Sequence, residues 1–230
     1  SAIKMNRTEE IIKNCLYKNL DGTPSVNENI LKILNVKFVI SPGILYHPQL
    51  IEEFRDPATN WIVYRYNNYL QRAYFPESYV QINTPRDRLL TLNDLSYDPL
   101  KTVIIEKELD FQLKPLFDNK TEMIAFSPNL IKYEVKNDQD AVLVLSETPY
   151  LPGWKAKINN EPVKILNANH VNMAVIMPKG ENVLELSFHP KSFYNYRFLE
   201  MATAIFLYII LIWIIYSRYG QKNLYWLADR

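Results

Sequence analysis

Short runs of alternating apolar and polar residues fill the chain from residue 121 to residue 188. Seven runs follow one another, roughly one every ten residues, a spacing typical of all-β domains. The turn-forming pairs between them include Ser127-Pro128, Asn137-Asp138, Pro152-Gly153, Asn159-Asn160 and Lys179-Gly180. In the run 181–188, Leu184 and Leu186 alternate with Glu185 and Ser187, so one face is expected in the core and the other in water. This pattern predicts an antiparallel, jelly-roll-like β-sandwich.

The upstream half mixes helical and strand-like periods. The predicted elements are a helix over 27–34 capped by Asn27, a buried strand over 35–41, a hairpin over 61–75 that turns at Asn67-Asn68, a helix over 86–95, and a strand over 101–110. Leu89, Leu90 and Leu92 are expected on the buried side of the second helix. The pattern therefore predicts an N-terminal helix and linker at 1–28, then a smaller α+β segment at 29–120 that packs on a sandwich at 121–196.

One long apolar run lies near the C-terminus. The stretch FLEMATAIFLYIILIWIIY (198–216) contains a single charge, Glu200, close to its start. At 1.5 Å per residue it is roughly 28 Å long, which matches the hydrocarbon core of a bilayer. A buried core helix is the alternative, but a run that is apolar on every face argues against it. The sequence predicts one transmembrane helix at 197–217, followed by a tail at 218–230.

Basic residues around this run favour a cytoplasmic C-terminus. Lys191 and Arg197 precede the run, whereas Arg218, Lys222 and Arg230 follow it. The opening residues, SAIKMNRTEE, lack an apolar signal segment. As a complete protein the chain would be tail-anchored with a cytosolic domain. As the last part of a multi-span protein its domain would be outside, and an initial Ser1 favours this second interpretation.

Composition and motif spacing argue against several kinds of binding and catalytic site. The chain carries 26 Lys and Arg against 25 Asp and Glu, a balance that argues against a nucleic-acid partner. The single cysteine, Cys15, excludes an internal disulfide and a cysteine-based metal site. The three histidines, at 47, 170 and 189, show no metal-ligand spacing, and five glycines provide no phosphate-binding loop. We therefore expect no metal, cofactor or catalytic residue in this chain.

Two groups of residues remain as candidates for chemistry or binding. Glu106, Glu108 and Asp110 would share one face at the end of a strand, where solvated edge charges explain them more simply than acid–base catalysis does. Trp154 has two interpretations. It can stack on a sugar ring, assisted by Lys155 and Asn169, or it can cover the end of the sandwich core.

A specific motif order runs through residues 143–193, LVLSETPYLPGWKAKINNEPVKILNANHVNMAVIMPKGENVLELSFHPKSF. Together with LNVKFVIS (34–41) and YLQRAYF (69–75), it resembles the C-terminal region of the bacterial YfhO-type integral membrane proteins. The resemblance covers about residues 29–216 and places the final strand directly before a membrane helix. This chain has Asn159-Asn160 where the family often has an Asp-Gly hairpin.

The resemblance implies a location and a function. Such proteins are similar to multi-span transferases that use polyprenyl-phosphate sugars and are linked to glycosylation of surface polymers such as lipoteichoic acid. Their catalytic carboxylate lies in an early loop that has no counterpart here. The resemblance implies an accessory extracytoplasmic domain on the bacterial cytoplasmic membrane, whose partners are the lipid bilayer, an N-terminal membrane core, and a cell-surface glycan or polyprenyl-linked sugar. A non-catalytic glycan-binding or assembly module is the alternative.

Three residues just before the membrane run are expected to meet lipid. Lys191, Tyr194 and Arg197 combine positive charge with an aromatic ring, a combination that suits the headgroup region. Contact with a lipid-phosphate donor is the alternative for the same residues. Headgroup anchoring requires fewer assumptions.

Overall fold

The computed structural model of the chain describes the backbone of residues 6–228 and the side chains of residues 6–190 and 196–218. Its contacts separate the residues up to Phe188 from those that begin at His189. The first unit contains, in order, α1 (Asn6–Ile11), a π-helical turn (Ile12–Leu16), β1 (Tyr17–Leu20), β2 (Thr23–Val26), α2 (Glu28–Ile33), β3 (Phe38–Ser41), β4 (Leu50–Arg55), β5 (Ile62–Tyr66), β6 (Ala73–Tyr74), β7 (Ser78–Gln81), α3 (Pro85–Asn93), β8 (Thr102–Ile105), β9 (Asn119–Ser127), β10 (Leu130–Asn137), β11 (Ala141–Leu145), β12 (Trp154–Ile158), β13 (Glu161–Val163), β14 (Leu166–Ala168), β15 (Asn172–Met177) and β16 (Gly180–Phe188).

Two large sheets form the sandwich. One has five antiparallel strands in the order β13-β12-β16-β10-β9, and the other has six strands in the order β6-β11-β15-β14-β8-β7. Within the six-stranded sheet only β7 and β8 pair in parallel. Buried side chains from β10, β12 and β16 meet those from β6, β11 and β15 in a single apolar cluster. The predicted β-sandwich is confirmed.

The six-stranded sheet is covered on both faces. In β11, Leu143 and Leu145 belong to the sandwich core, whereas Val142 and Val144 belong to a second cluster on the opposite face. Because both faces of β11 are buried, its sequence is a continuous apolar run rather than an alternation. The second cluster also contains Val103 and Ile105 of β8, so this sheet joins strands from before and after residue 120.

Two sequence-based expectations for the upstream half are wrong. The run 61–75 does not form a hairpin, because β5 lies in a three-stranded sheet of order β3-β5-β4 and β6 lies at the edge of the six-stranded sheet. The strand within 35–41 is not buried, since Phe38 is 48% exposed and Ile40 is 61% exposed. Short apolar runs carry no information about which sheet they join, and that choice is made by tertiary packing.

The helix α2 begins at its predicted cap. Asn27 precedes α2 and its side chain accepts a hydrogen bond from the Asn29 amide, as expected. The prediction for α3 is partly wrong, because Leu92 is fully buried whereas Leu90 is 59% exposed. Arg88 takes the inward position instead and is only 2% exposed. It lies one turn before Leu92, on the same side of the helix.

The second unit is α4 (Lys191–Ala228). Tyr196–Arg218 within it is long and apolar enough to cross a membrane, with a mean hydropathy of 2.4 and no burial over its most apolar stretch. The transmembrane prediction for 197–217 agrees with this span. Only two residues, His189 and Pro190, separate the end of β16 from the start of α4.

Candidate functional site

An aromatic cluster closes the end of the sandwich where β12 begins. The Trp154 ring centroid lies 5.0 Å from that of Phe188, and the Tyr150 ring lies 6.1 Å from the same Phe188. The Gly153 and Trp154 amides both donate to the Tyr150 carbonyl, at 2.8 and 3.0 Å. Trp154 is half-buried and packs against the sandwich core. The loop 146–153 thus folds its Pro-Gly corner over this end and leaves Tyr150 39% exposed.

The three residues predicted to bind glycan are not brought together. Trp154 and Lys155 are consecutive in β12, so their side chains leave opposite faces of the sheet. Trp154 points toward the core, whereas Lys155 lies on the exposed outer face of the five-stranded sheet. Asn169 lies in the turn between β14 and β15, in the other sheet, and is fully buried. Glycan binding by this set remains a prediction.

Asn169 organises the turn in which it lies. Its Oδ1 accepts hydrogen bonds from the Tyr97 hydroxyl at 2.8 Å and from the Ile104 amide at 3.0 Å, and its Nδ2 donates to the Tyr74 hydroxyl at 3.1 Å. Both Asn169 and His170 adopt left-handed backbone angles, with φ of 44° and 67°. Asparagine tolerates this conformation better than most residues do. The turn carries His170 inward, where it is 1% exposed.

Beside this turn lies a polar network made of Arg7, Glu10, Arg88, Glu106, Asn167 and His170. Glu106 is its centre and accepts from Arg7, from Asn167 Nδ2 at 3.1 Å, and pairs with Arg88 at 3.4 Å. Arg88 also donates to the carbonyls of Ile82 and Asn83, at 3.2 and 2.8 Å. Burial raises the pKa of the Glu106 carboxyl, but the hydrogen bonds and charges of its partners outweigh burial and leave its pKa lowered. Glu106 is therefore held as an anion.

His170 is held neutral and in one tautomer. Arg88 Nε donates to His170 Nδ1 at 3.3 Å, so Nδ1 is the acceptor nitrogen and Nε2 carries the proton. Nε2 then donates to Glu10 Oε2 at 2.9 Å. Burial lowers the pKa of His170, the Glu10 hydrogen bond opposes this, and the charges of Arg88 and Arg7 add to the lowering.

A cleft opens beside this network. A cavity of about 250 Å³ is lined by Arg7, Pro149, Tyr150, Leu151, Pro152 and Asn167. A smaller cavity of about 100 Å³ shares Leu151 and Asn167 with it and reaches Glu106, Lys107 and Lys164. We refer to the two together as the loop cleft. The loop cleft is lined by the exposed Tyr150 ring, the Asn167 amide, the Arg7 guanidinium and two lysines. Its one carboxylate, that of Glu106, is already paired.

This lining fits a polar, uncharged or anionic ligand. A tyrosine ring offers an apolar face for the C–H side of a sugar ring, and the amide and guanidinium groups offer hydrogen-bond donors to hydroxyl or phosphate oxygens. In the part of the chain that the structure describes, no three His, Cys, Asp or Glu residues are placed to hold a metal ion.

Sequence patterns did not predict the loop cleft or the polar network beside it. Arg7 and Glu10 are neighbours in α1, but Arg88, Glu106 and His170 are far from them and from one another in sequence, and their spacing does not predict that they meet. The one available signal was the helical position of Arg88, four residues before the buried Leu92.

The three acidic residues after β8, Glu106, Glu108 and Asp110, do not share one strand face, contrary to the prediction from sequence. The strand ends at Ile105, so Glu106, Glu108 and Asp110 do not continue along a shared strand face. Glu108 and Asp110 are exposed, whereas the Glu106 side chain is 21% exposed and centres the polar network. Glu108 and Asp110 are therefore solvated charges, whereas Glu106 is not.

The predicted lipid-contact residues all lie in α4. Lys191 and Tyr194 belong to its first turns, and their side chains fall outside the described part of the chain. Arg197 is exposed. Lipid contact by these three stays a prediction.

A β-sandwich is joined by two residues to a helix that is long and apolar enough to cross a membrane, the architecture of a membrane-anchored domain. The family model described as "Bacterial membrane protein YfhO" matches residues 67–199, which is more than half of the chain. The chain belongs to this family. The matched region holds the loop cleft apart from Arg7, and it extends from β6 into α4.

A curated relative from Bacillus subtilis (strain 168) carries the name "Uncharacterized protein YfhO". It is 24% identical over 144 residues, which make up 61% of this chain and 15% of the relative. The chain thus corresponds to a small fraction of that relative's length. No solved structure matches the chain.

Proposed function

We propose that this chain is the extracytoplasmic accessory domain and adjoining span of a glycosyltransferase-like membrane protein that uses polyprenyl-phosphate sugars to glycosylate cell-surface polymers. The loop cleft is the observation that carries the proposal. It provides a concave surface with an exposed aromatic ring and hydrogen-bond donors, as a binding domain requires. Family membership and the candidate span support a membrane location.

The cleft is proposed to hold a sugar unit of the acceptor polymer or of the lipid-linked donor. Tyr150 would stack on the ring, and Arg7 and Asn167 would bind hydroxyl or phosphate oxygens. Lys107 and Lys164 add positive charge near the smaller cavity, which suits a phosphate-containing polymer. Trp154 acts behind this surface by supporting Phe188, against which Tyr150 packs.

Binding to defined glycan fragments tests the cleft. The full chain in lipid nanodiscs is titrated with glycerol-phosphate oligomers that carry sugar substituents. Tyr150→Ala and Asn167→Ala are each expected to weaken binding about tenfold, the equivalent of about 1.4 kcal/mol. Tyr46→Ala removes another exposed tyrosine, 59% exposed against 39% for Tyr150, outside the cleft; it is the control and should bind normally.

Two other results of the titration would overturn the proposal. Loss of binding in Lys155→Ala, with Tyr150→Ala unaffected, would place the ligand on the outer face of the five-stranded sheet and overturn the cleft. Absence of binding by the intact chain would reject the recognition role. Melting curves of each variant separate lost binding from lost folding, since Tyr150 also packs on Phe188.

The side of the membrane on which the domain lies is tested separately. In bacterial cells that produce the protein, single cysteines replace Glu161, which is exposed on the sandwich, and Arg218, at the end of the candidate span. The buried Cys15 is first replaced by alanine. A membrane-impermeant maleimide should label position 161 in intact cells and position 218 only after lysis. The reverse pattern would show a cytosolic domain on a tail-anchored protein.

A further inference from the structure

The three-stranded sheet β3-β5-β4, here called the small sheet, has one apolar face without cover. Strand pairing aligns Phe38, Arg65 and Ile51 in one cross-strand row, and Ile40, Val63 and Phe54 in the next. Paired residues of antiparallel strands share a face, so both rows lie on the same side. Trp61 precedes β5 and continues the alternation on that side. We call this surface the outer face of the small sheet.

The opposite face of the same sheet is in the core. Ile62, Tyr64 and Tyr66 are at most 4% exposed, whereas Phe38, Ile40, Ile51, Phe54 and Trp61 are 44–61% exposed. Five large apolar side chains on one short sheet form an exposed patch of the kind that marks an interaction site. The outer face of the five-stranded sheet is different, since charged pairs such as Lys132–Glu185 cover it.

Charges around the outer face are balanced. On this face Arg65 pairs with Glu53 at 2.7 Å; the pair of Arg55 with Glu52, at 2.8 Å, lies on the other side of the edge strand β4. Lys37 lies 5.8 Å from the Phe38 ring centroid and 5.7 Å from that of Tyr69, as a cation–π contact. The outer face is therefore apolar and aromatic around one ion-paired arginine on its central strand, with a lysine at its edge.

Two further exposed aromatic side chains, Tyr69 and Phe126, lie in the same unit as this face. Tyr69 lies three residues before Arg72, whose guanidinium is 4.7 Å from the centroid of the exposed Phe126 ring. Phe126 pairs with Ile131, and the neighbouring Leu130 pairs with Ser187, one residue before the end of β16. Two residues after β16, α4 begins.

We propose that the outer face of the small sheet docks onto the surface of the lipid bilayer in which the chain is anchored. Trp and Phe side chains with lysine at the rim are the composition of membrane interfaces. The candidate span tethers the domain near a bilayer, so weak contacts become effectively intramolecular. The inference rests on the span and the apolar face and does not depend on glycan binding.

Site-specific fluorescence tests the contact. The full chain with Cys15→Ala is reconstituted in vesicles of phosphatidylcholine and phosphatidylglycerol, and single cysteines at positions 40, 54 or 176 carry an environment-sensitive fluorophore. Ile176→Cys is the matched control for Ile40→Cys, because Ile176 is an exposed isoleucine on the six-stranded sheet. Nitroxide-labelled lipids should quench the probes at 40 and 54 at least about threefold more than the probe at 176.

A charged variant adds a second readout. Phe54→Asp in the chain labelled at position 40 is expected to reduce lipid quenching to the level of position 176, because the interface disfavours an unpaired carboxylate. Its melting curve should not change, since Phe54 is 59% exposed. Equal quenching at all three positions would overturn the proposal. Shielding of position 40 from aqueous iodide without lipid quenching would also overturn it and would indicate a second copy or another protein segment on this face.

Discussion

Gly153 allows the loop before β12 to lie against the aromatic end of the sandwich. A Cβ atom at this position would lie 2.4 Å from Phe188 Cε2 and 2.8 Å from Tyr150 Cδ1, both closer than non-bonded carbons approach. We expect Gly153→Ala to cost about 1–3 kcal/mol of unfolding free energy through overpacking. Gly43→Ala is the matched control, because an added Cβ there meets nothing within 4 Å. Thermal or denaturant melts of the two variants compare them, and equal melts would contradict the contact.

Tyr133 places a hydroxyl in the sandwich core without a hydrogen-bond partner among the described residues. Burial raises its pKa to about 12. A buried hydroxyl without a partner costs about 1–3 kcal/mol, so removing it should help the fold. Tyr133→Phe is expected to raise the unfolding free energy by about 1 kcal/mol. A clear loss of stability in denaturant melts would show that the hydroxyl has a partner, such as a buried water.

In the hairpin between β12 and β13, two asparagines adopt positive φ, and one of them also makes side-chain hydrogen bonds to another strand. Asn159 and Asn160 both have positive φ, at 50° and 72°. Only Asn159 ties the hairpin to the start of β16, by accepting from the Val183 amide at 2.8 Å and donating to Asn182 at 2.9 Å. Asn159→Gly should therefore cost about 1–2 kcal/mol, whereas Asn160→Gly should change stability by less than about 0.5 kcal/mol. Equal effects in denaturant melts would assign no role to the side-chain bonds.

How much the sequence predicted depends on the range of the interactions involved. The hairpin at Asn159-Asn160, the cap at Asn27 and the alternation in β16 are local, and each was predictable. The sheet that β6 joins was not predictable. Its pairing with β11 joins residues about seventy positions apart, and local patterns do not encode such pairings.

The same limit applies to the candidate site. The sequence left Trp154 with two interpretations, and covering the core end was one of them because its turn and strand are adjacent in sequence. The polar network was not predictable, since Arg7, Glu106 and His170 meet only after α1, β8 and the β14–β15 turn have packed together. Charged residues are normally expected at the surface. Arg88 can be buried because four acceptors surround its guanidinium.

At the scale of the whole molecule, the polar network connects the N-terminal helices to the sandwich. Glu10 and Arg7 come from α1, Arg88 comes from α3, and His170 comes from the turn of the six-stranded sheet. Protonating His170 would give it a second ring N–H in place of the acceptor that Arg88 uses. The network should therefore make the stability of the whole domain depend on pH.

The direction of this dependence follows from the lowered pKa of His170. Below its ordinary pKa of 6.5 the unfolded chain binds a proton that the folded chain does not, so stability is full above that pH and falls as pH drops. One histidine contributes a slope of at most about 1.4 kcal/mol per pH unit. His47 adds to the same slope, because burial lowers its pKa, with the Glu28 charge in opposition. Glu106, whose pKa is also lowered, adds a further loss only below about pH 4.5.

Denaturant melts of the chain between pH 7.5 and 5.5, with a further series down to pH 3.5, test this account with histidine variants. His170→Asn keeps a residue that tolerates φ of 67° and removes the titrating ring. It should be less stable than the parent at pH 7.5, because Arg88 loses an acceptor, yet it should lose less stability on acidification. The double variant His47→Asn with His170→Asn should be flatter still in this range and should retain the acid loss below pH 4.5. An unchanged slope in the double variant would show that neither histidine governs the pH dependence of folding.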